Sequence, residues 1–243
     1  MRTLVVSAYY KIPSKASHAV YTDYLRRFFR SIRCSVLFFT SADLVDELRS
    51  MTPPSSPVRF CVVERADWVA WNKGRAFWDR QKARDVEAYH TPELAAVWYE
   101  KKEFVSRAME MPDYAAFDVF IWCDAGCVRD DSSEEALCSF GLRNAPLHDG
   151  KLHVQQIKTP ALKAFYSFPD VRIAGAILAG NRAAWSLVRY LYEVALEDYD
   201  AAGVSGNSDQ YVLARCIDQS PSQFSCWPNC TSLDRWFFFL GVL

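Results

Sequence analysis

The sequence predicts an α/β fold, a doubly wound and mostly parallel sheet flanked by helices, and three observations lead to it. Short β-branched or aromatic runs alternate with helical periods over the first 63 residues, the opening of a parallel sheet with crossover helices. An uninterrupted apolar run, Val119 to Cys123, reads as a strand buried on both faces. Directly after it stand Asp124, Ala125 and Gly126, a carboxylate and two small residues at a strand's carboxyl end, where open α/β sheets bind ligands.

Taken in order, Thr3 to Ala8 is the first strand, and Ala19 to Ser31 repeats Tyr21, Tyr24, Leu25, Phe28 and Phe29 on one helical side. Ser35 to Thr40 is the next strand. Ser41 to Arg49 is a helix stopped before Pro53 and Pro54, and Val58 to Val63 the third strand. Residues 66–90 are rich in Trp, Lys, Arg and Asp and show no clean strand. Thr91-Pro92-Glu93 starts a helix, with proline at its first position, that runs to about Met109 and is closed by Pro112. After the Val119 strand, residues 130–143 read as a helix, and His153 to Gln156 and Val171 to Ala179 as strands. A long helix, Arg182 to Asp198, is opened by Asn181, and a last one spans Asp209 to Asp218 before a tail containing Cys and Pro. Trp236 to Leu243 is a closing buried strand or helix, with membrane contact at most peripheral. Without repeats or linkers, residues 1–243 read as a single domain.

Composition excludes several classes. Apolar residues make up 51% of the 243 residues and aromatics 15%, enough for a substantial core. A formal net charge of -1 gives no phosphate-tracking face, so nucleic acid is not the expected partner. Arg26, Arg27, Arg30 and Arg33 share one predicted helix and read as solvated surface. The first residues carry too short an apolar run for a signal peptide, and no run reaches the roughly 20 apolar residues of a membrane span. A cytoplasmic protein is expected, and its eight cysteines as reduced thiols. Cys123 with Cys127, and Cys226 with Cys230, have three intervening residues and no neighbouring histidine, unlike a zinc knuckle.

Several constellations carry candidate chemistry. Ser7, Ala8, Tyr9 and Tyr10 end the first strand, where a base or ribose could lie against either tyrosine, although such residues also serve a core. Lys101 and Lys102, in Trp98-Tyr-Glu-Lys-Lys-Glu103, could reach a phosphate or belong to a solvated helical face. Gly175, Ala176, Gly180 and Asn181 bracket a short apolar strand, where missing side chains admit either a ligand or a close-packed helix. Asp209, followed by Gln210, stands at a helix start, which keeps a carboxylate ionised for use as a base or for a sugar hydroxyl. Asp124 itself is either a ligand-binding carboxylate or a cap for the following helix.

In this order the pieces resemble a known family. Phe77-Trp-Asp-Arg-Gln81, His90-Thr-Pro-Glu-Leu94, Trp98-Tyr-Glu-Lys101, Trp122-Cys-Asp-Ala-Gly-Cys127 with Arg129, the glycine-bracketed strand and Asp209-Gln210 together look like the WlaTC/HtrL/YibB glycosyltransferases. The resemblance spans about residues 3–215. It implies a GT-A-like (Rossmann-like) fold with a mixed, mostly parallel sheet, a nucleotide-sugar donor and a glycan or surface-polysaccharide acceptor. In that fold an Asp-x-Asp element holds a divalent cation, Mn2+ or Mg2+, on the donor diphosphate. Here Asp124 matches the first Asp, and Gly126 stands where the second would be. Either Asp124 holds the ion alone among the carboxylates, or Lys101, Lys102 or Arg129 neutralises the diphosphate. The expected donor side is thus Ser7, Ala8, Tyr9, Tyr10, Lys101, Trp122, Asp124, Ala125, Gly126 and Arg129. The sugar or acceptor pocket is Gly175, Ala176, Gly180, Asn181 and Gln210, with Asp209 as the catalytic group. A nucleotidyltransferase or a non-catalytic nucleotide- or carbohydrate-binding protein are the rival readings. The former lacks a glycine-rich basic loop after the first strand.

Overall fold

A computed structural model describes residues 2–143, 147, 149–158 and 171–243. Seven strands form one sheet: β1 (Thr3–Ala8), β2 (Ser35–Thr40), β3 (Val58–Val62), β4 (Val119–Cys123), β5 (Leu152–Gln156), β6 (Ile173–Asn181) and β7 (Phe224–Pro228). Their order is β3-β2-β1-β4-β6-β5-β7. β6 runs antiparallel to both β4 and β5, and every other pairing is parallel. One reversed strand among six co-directional ones is the mixed, mostly parallel sheet that was expected. Helices flank it: α1 (His18–Ser31), α2 (Ala42–Ser50), α3 (Arg75–Ala83), α4 (Pro92–Glu110), α5 (Asp131–Leu137), α6 (Arg182–Ala201) and α7 (Asp209–Gln219).

The period-2 geometry of a strand sends alternate side chains to opposite faces, and the chain fills both. Leu4 and Val6 of β1, Leu37 and Phe39 of β2, and Phe120 and Trp122 of β4 join a core with α4, α6 and α7. Val5, Val36, Phe38, Val119 and Ile121 join a second core with α1, α2 and the carboxyl-terminal Phe237 to Leu243. Every residue of β4 is buried, which is why its sequence is a continuous apolar run rather than an alternation. Trp185 of α6 is buried and donates its indole N–H to the Phe120 carbonyl at 2.9 Å, tying α6 to this central strand.

Two elements depart from the sequence reading. α5 ends at Leu137 rather than 143. Asp130 and Ser133 cap its start reciprocally, but the chain turns at Gly141, whose φ of +74° no helix continues. β7 lies in the tail, where no strand was expected. It pairs parallel with β5 at the sheet edge and half-exposes a Cys- and Pro-bearing sequence without apolar alternation. Residues 65–90 hold two 3-10 turns and α3 and no strand, in keeping with the sequence reading. The arginine cluster is only partly free surface. Arg27 and Arg30 grip Glu134 of α5 at 2.9 and 2.6 Å, stapling α1 to it. Among the described residues, no helix is long and apolar enough to cross a membrane.

Candidate active site

The carboxyl edge of the parallel strands opens into a cavity of about 320 Å3. Ala8, Tyr9 and Tyr10 reach it from the end of β1, and Asp124, Ala125 and Gly126 from the end of β4. Because β6 runs backwards, its amino-terminal residues Gly175 and Ala176 come to the same edge. The Asp124 N–H donates to the Ala176 carbonyl at 2.8 Å, extending the β4–β6 ladder to the cavity floor. α4 supplies a wall through Leu94, Val97, Trp98 and Lys101, spaced three or four residues apart and so on one helical face. Thr91 caps this helix by accepting from the Leu94 N–H at 3.1 Å, and Pro92 follows it. Ser208, Asp209 and Gln210 at the start of α7 close the opposite side.

At the centre lies a buried charge cluster. The Lys101 ammonium sits 2.7 Å from Asp209 Oδ2, 2.9 Å from the Gly175 carbonyl, and 3.0 and 3.2 Å from the two oxygens of Asp124. Trp122 donates its indole N–H to Asp124 Oδ1 at 2.7 Å. Gly175 is indispensable to this packing, since a Cβ there would lie 2.2 Å from Asp209 Oδ2. Burial alone would lower the pKa of Lys101, yet the two facing carboxylates outweigh it and raise the value above normal, keeping the ammonium charged. Burial raises the pKa of Asp124, helped by Asp209 and opposed by Lys101. The Asp124 side chain keeps 33% of its surface open to the cavity, so cavity water or a ligand's charge tempers that push. One ammonium between two carboxylates leaves the cluster one negative charge in excess.

Around it the cavity is aromatic and basic. Tyr9, Tyr21, Tyr89, Trp98, Trp236 and Phe237 all contribute to its wall. The Tyr9 hydroxyl bonds His18 Nδ1 at 2.7 Å, and His18 Nε2 bonds Glu47 at 3.0 Å, so a relay from α2 fixes this ring. Arg129 lines the cavity with its guanidinium 4.5 Å from the centre of the Phe237 ring, and its Nε donates to the Gly126 carbonyl at 2.9 Å. Near the start of α4, His90 Nδ1 meets Asp85 Oδ2 at 2.8 Å, and Asn207 donates to the same carboxylate at 2.9 Å. Although burial pushes the Asp85 pKa up, these bonds and the Glu87 N–H bring it below the ordinary carboxylate value.

The structure gathers Ala8, Tyr9, Tyr10, Lys101, Trp122, Asp124, Ala125, Gly126, Arg129, Gly175, Ala176, Asp209 and Gln210 around one cavity. Four sequence candidates lie elsewhere. Ser7 is fully buried on the strand side, with an unpartnered hydroxyl. Gly180 and Asn181 pair with Phe120 and Val119 at the opposite edge of the sheet, because β6 is antiparallel. There Asn181 caps α6 by accepting from the Ala184 N–H at 3.0 Å. Lys102 points to the helix layer, 2.8 Å from Glu103 and 3.0 Å from Glu193. Conversely, Lys15, Tyr21, Tyr89, His90, Trp98, Trp236 and Phe237 line the cavity and were absent from the candidates. His90 was legible as part of His90-Thr-Pro-Glu-Leu94, but its partner Asp85 lies in a stretch with no periodic signal.

Among the described residues, no three His, Cys, Asp or Glu side chains gather where they could hold an ion, and Asp124 and Asp209 both spend oxygens on Lys101. Cys123 and Cys127, with sulfurs 3.3 Å apart, are buried beside the Asp124 turn as free thiols.

No protein-family model and no curated protein sequence matches the chain. Among solved structures it is similar to mouse xyloside xylosyltransferase 1 in its apo form, at a TM-score of 0.49 and 11% identity, over 93% of this chain and 85% of that one. It is also similar to a glycosyltransferase involved in glycosylation of the major capsid of PBCV-1, at a TM-score of 0.46 and 11% identity, over 96% and 84%.

Proposed function

We propose that residues 1–243 form one GT-A-like domain of the WlaTC/HtrL/YibB kind that transfers a sugar from a nucleotide-sugar donor to a glycan acceptor. The observation that carries this reading is the Lys101–Asp124–Asp209 cluster at the carboxyl edge of β4, open to an aromatic and basic cavity. Transfer makes a bond from an acceptor oxygen to the anomeric carbon and breaks that carbon's bond to the diphosphate. The diphosphate leaves with the electron pair, and the acceptor's proton passes to a base or to water. The largest demand is therefore stabilisation of negative charge on the departing phosphate, which preorganised cations meet. Lys101 is held for that task by Asp209 and Gly175, with Arg129 and Lys15 as further cations on the wall. Asp124 then suits ribose or sugar hydroxyls, and Tyr9 or Tyr10 a base or ribose.

Asp209 belongs to the acceptor side in this reading. Its Oδ2 is committed to the ammonium, which suits it to orienting an acceptor hydroxyl. A divalent cation, expected from the family resemblance, would have Asp124 as its main protein ligand beside phosphate oxygens and water. The test is a thermal-shift panel of nucleotide sugars. A donor supplied at a hundred times its dissociation constant should stabilise the protein by roughly 2.7 kcal/mol, whereas a panel without any shift would remove the donor from this cavity.

A further inference from the structure

We propose that the Lys101 ammonium stands in for the divalent cation, so that the cavity binds the donor's diphosphate without a metal ion. The inference rests on the transferase reading above and narrows it.

Four oxygens converge on one point: Asp209 Oδ2, the Gly175 carbonyl and both oxygens of Asp124, at 2.7 to 3.2 Å. That is the oxygen cage a hard cation seeks, and a tethered ammonium fills it. A metal would have to displace Lys101 and leave a buried ammonium without its partners, which is strongly unfavourable. Nor does position 126 offer a second carboxylate. A Cβ at Gly126 would already lie 3.0 Å from the Tyr21 ring.

The charge of the cavity agrees. Lys15, Lys101 and Arg129 line it against Asp124 and Asp209, so its wall is net positive before any ion is added. At the start of α7, Ser208 makes no side-chain cap, and a helix start favours an anion nearby. An ammonium has three donors for the four oxygens around Lys101. The contacts to Asp124 are the two longest and are shared, and Asp124 is the partner open to the cavity. A diphosphate oxygen therefore exchanges for Asp124 on the ammonium, while Asp209 and Gly175 hold Lys101 in place. Asp124, still bonded to Trp122, turns to the donor's hydroxyls.

The experiment is calorimetric titration of the full chain with four common nucleoside diphosphates, in EDTA and in Mn2+. It is accompanied by electron paramagnetic resonance of Mn2+ alone with the protein. Wild type should bind at least one diphosphate with affinities that agree between the two buffers within about threefold, and should leave the free Mn2+ signal unchanged. Lys101→Met should weaken binding in EDTA by about ten- to a hundredfold, the loss of one charge-assisted bond, while Lys101→Arg should stay insensitive to EDTA. Binding that EDTA abolishes and Mn2+ restores in wild type would overturn the metal-free site and leave the transferase reading standing. Binding in EDTA that Lys101→Met does not change would overturn it equally. No diphosphate binding in either buffer would overturn both. The wild-type arms decide the question even where a variant fails to fold.

Discussion

Lys101 and Lys102 are neighbours on α4, both buried, both placed between two carboxylates, and they do different work. Lys102 lies 3.2 Å from the centre of the Tyr99 ring, with Glu103 and Glu193 at 2.8 and 3.0 Å. Glu193 is in turn bonded to Lys73, and Glu103 to Arg189. That network joins α4 to α6, and none of its side chains lines the cavity at the sheet edge. Lys101, one residue earlier and about 100° around the helix, faces the sheet edge, and its partner Asp124 is open to a cavity. A buried ion pair is therefore not a site by itself. What marks a site is a pair with one face left open for a ligand.

The sharpest way to break this contrast is to remove each charge in turn. Lys101→Met should lower turnover by on the order of 10²–10³, the effect of deleting one preorganised stabiliser of developing charge. Lys102→Met should keep turnover per folded molecule while costing about 3–5 kcal/mol of stability, because Glu103 and Glu193 lose a buried partner. Denaturant titration beside steady-state rates separates the two outcomes. Equal losses of turnover would erase the distinction between the faces of α4.

The two ends of β6 offer a second contrast. Gly175→Ala places a methyl 2.2 Å from Asp209 Oδ2 and must push that carboxylate off Lys101. It should cost about 1–3 kcal/mol and lower turnover together. Gly180→Ala meets the Ala184 methyl at 3.0 Å at the far edge, and should cost stability alone. Comparing kcat with melting temperature in both variants checks this, and a turnover defect in Gly180→Ala would contradict the placement.

How far these differences were legible in the chain depends on what carries them. Strands β1, β2 and β4 announce themselves through apolar runs, and Asp124 through its place after one. The reversal of β6 leaves no such trace, because a strand buried on both faces reads the same in either direction. Hence Gly175 and Gly180 look equivalent in the chain, and Asn181 reads both as a pocket residue and as the start of the following helix, of which only the cap on α6 holds. Lys101 and Lys102 were likewise inseparable, since adjacent positions diverge only once the helix is packed. The Trp236–Phe237 wall was missed because chain order says nothing about a tail that folds back beside α5. Gln155 holds it there, accepting from the Phe239 N–H at 2.8 Å and donating to the Trp236 carbonyl at 3.0 Å.

A smaller effect comes from Glu100, the first charged residue in this run of α4. It is fully buried, accepts from the Ala70 N–H at 2.6 Å, and has its second oxygen unpartnered. Burial lifts its pKa to about 7 from the ordinary 4.5. Between those values the folded state binds more protons than the unfolded one, so stability is full below about pH 4.5 and falls as pH rises towards 7. Glu100→Gln keeps the acceptor for Ala70 and should flatten that decline, gaining on the order of 2–3 kcal/mol at pH 8. Urea titrations across pH 4.5 to 8 would show it, and a decline that persists in the variant would assign it elsewhere.

The most direct test of the account is release of nucleoside diphosphate from a set of nucleotide sugars, measured in the presence and absence of a carbohydrate acceptor mixture. Wild type and Lys102→Met should turn over at least one donor, with Asp124→Asn and Lys101→Met reduced by about a hundredfold or more per folded molecule. Undiminished turnover in Asp124→Asn and Lys101→Met, or no turnover of any donor by wild type, would contradict the claim that this cluster carries glycosyl transfer.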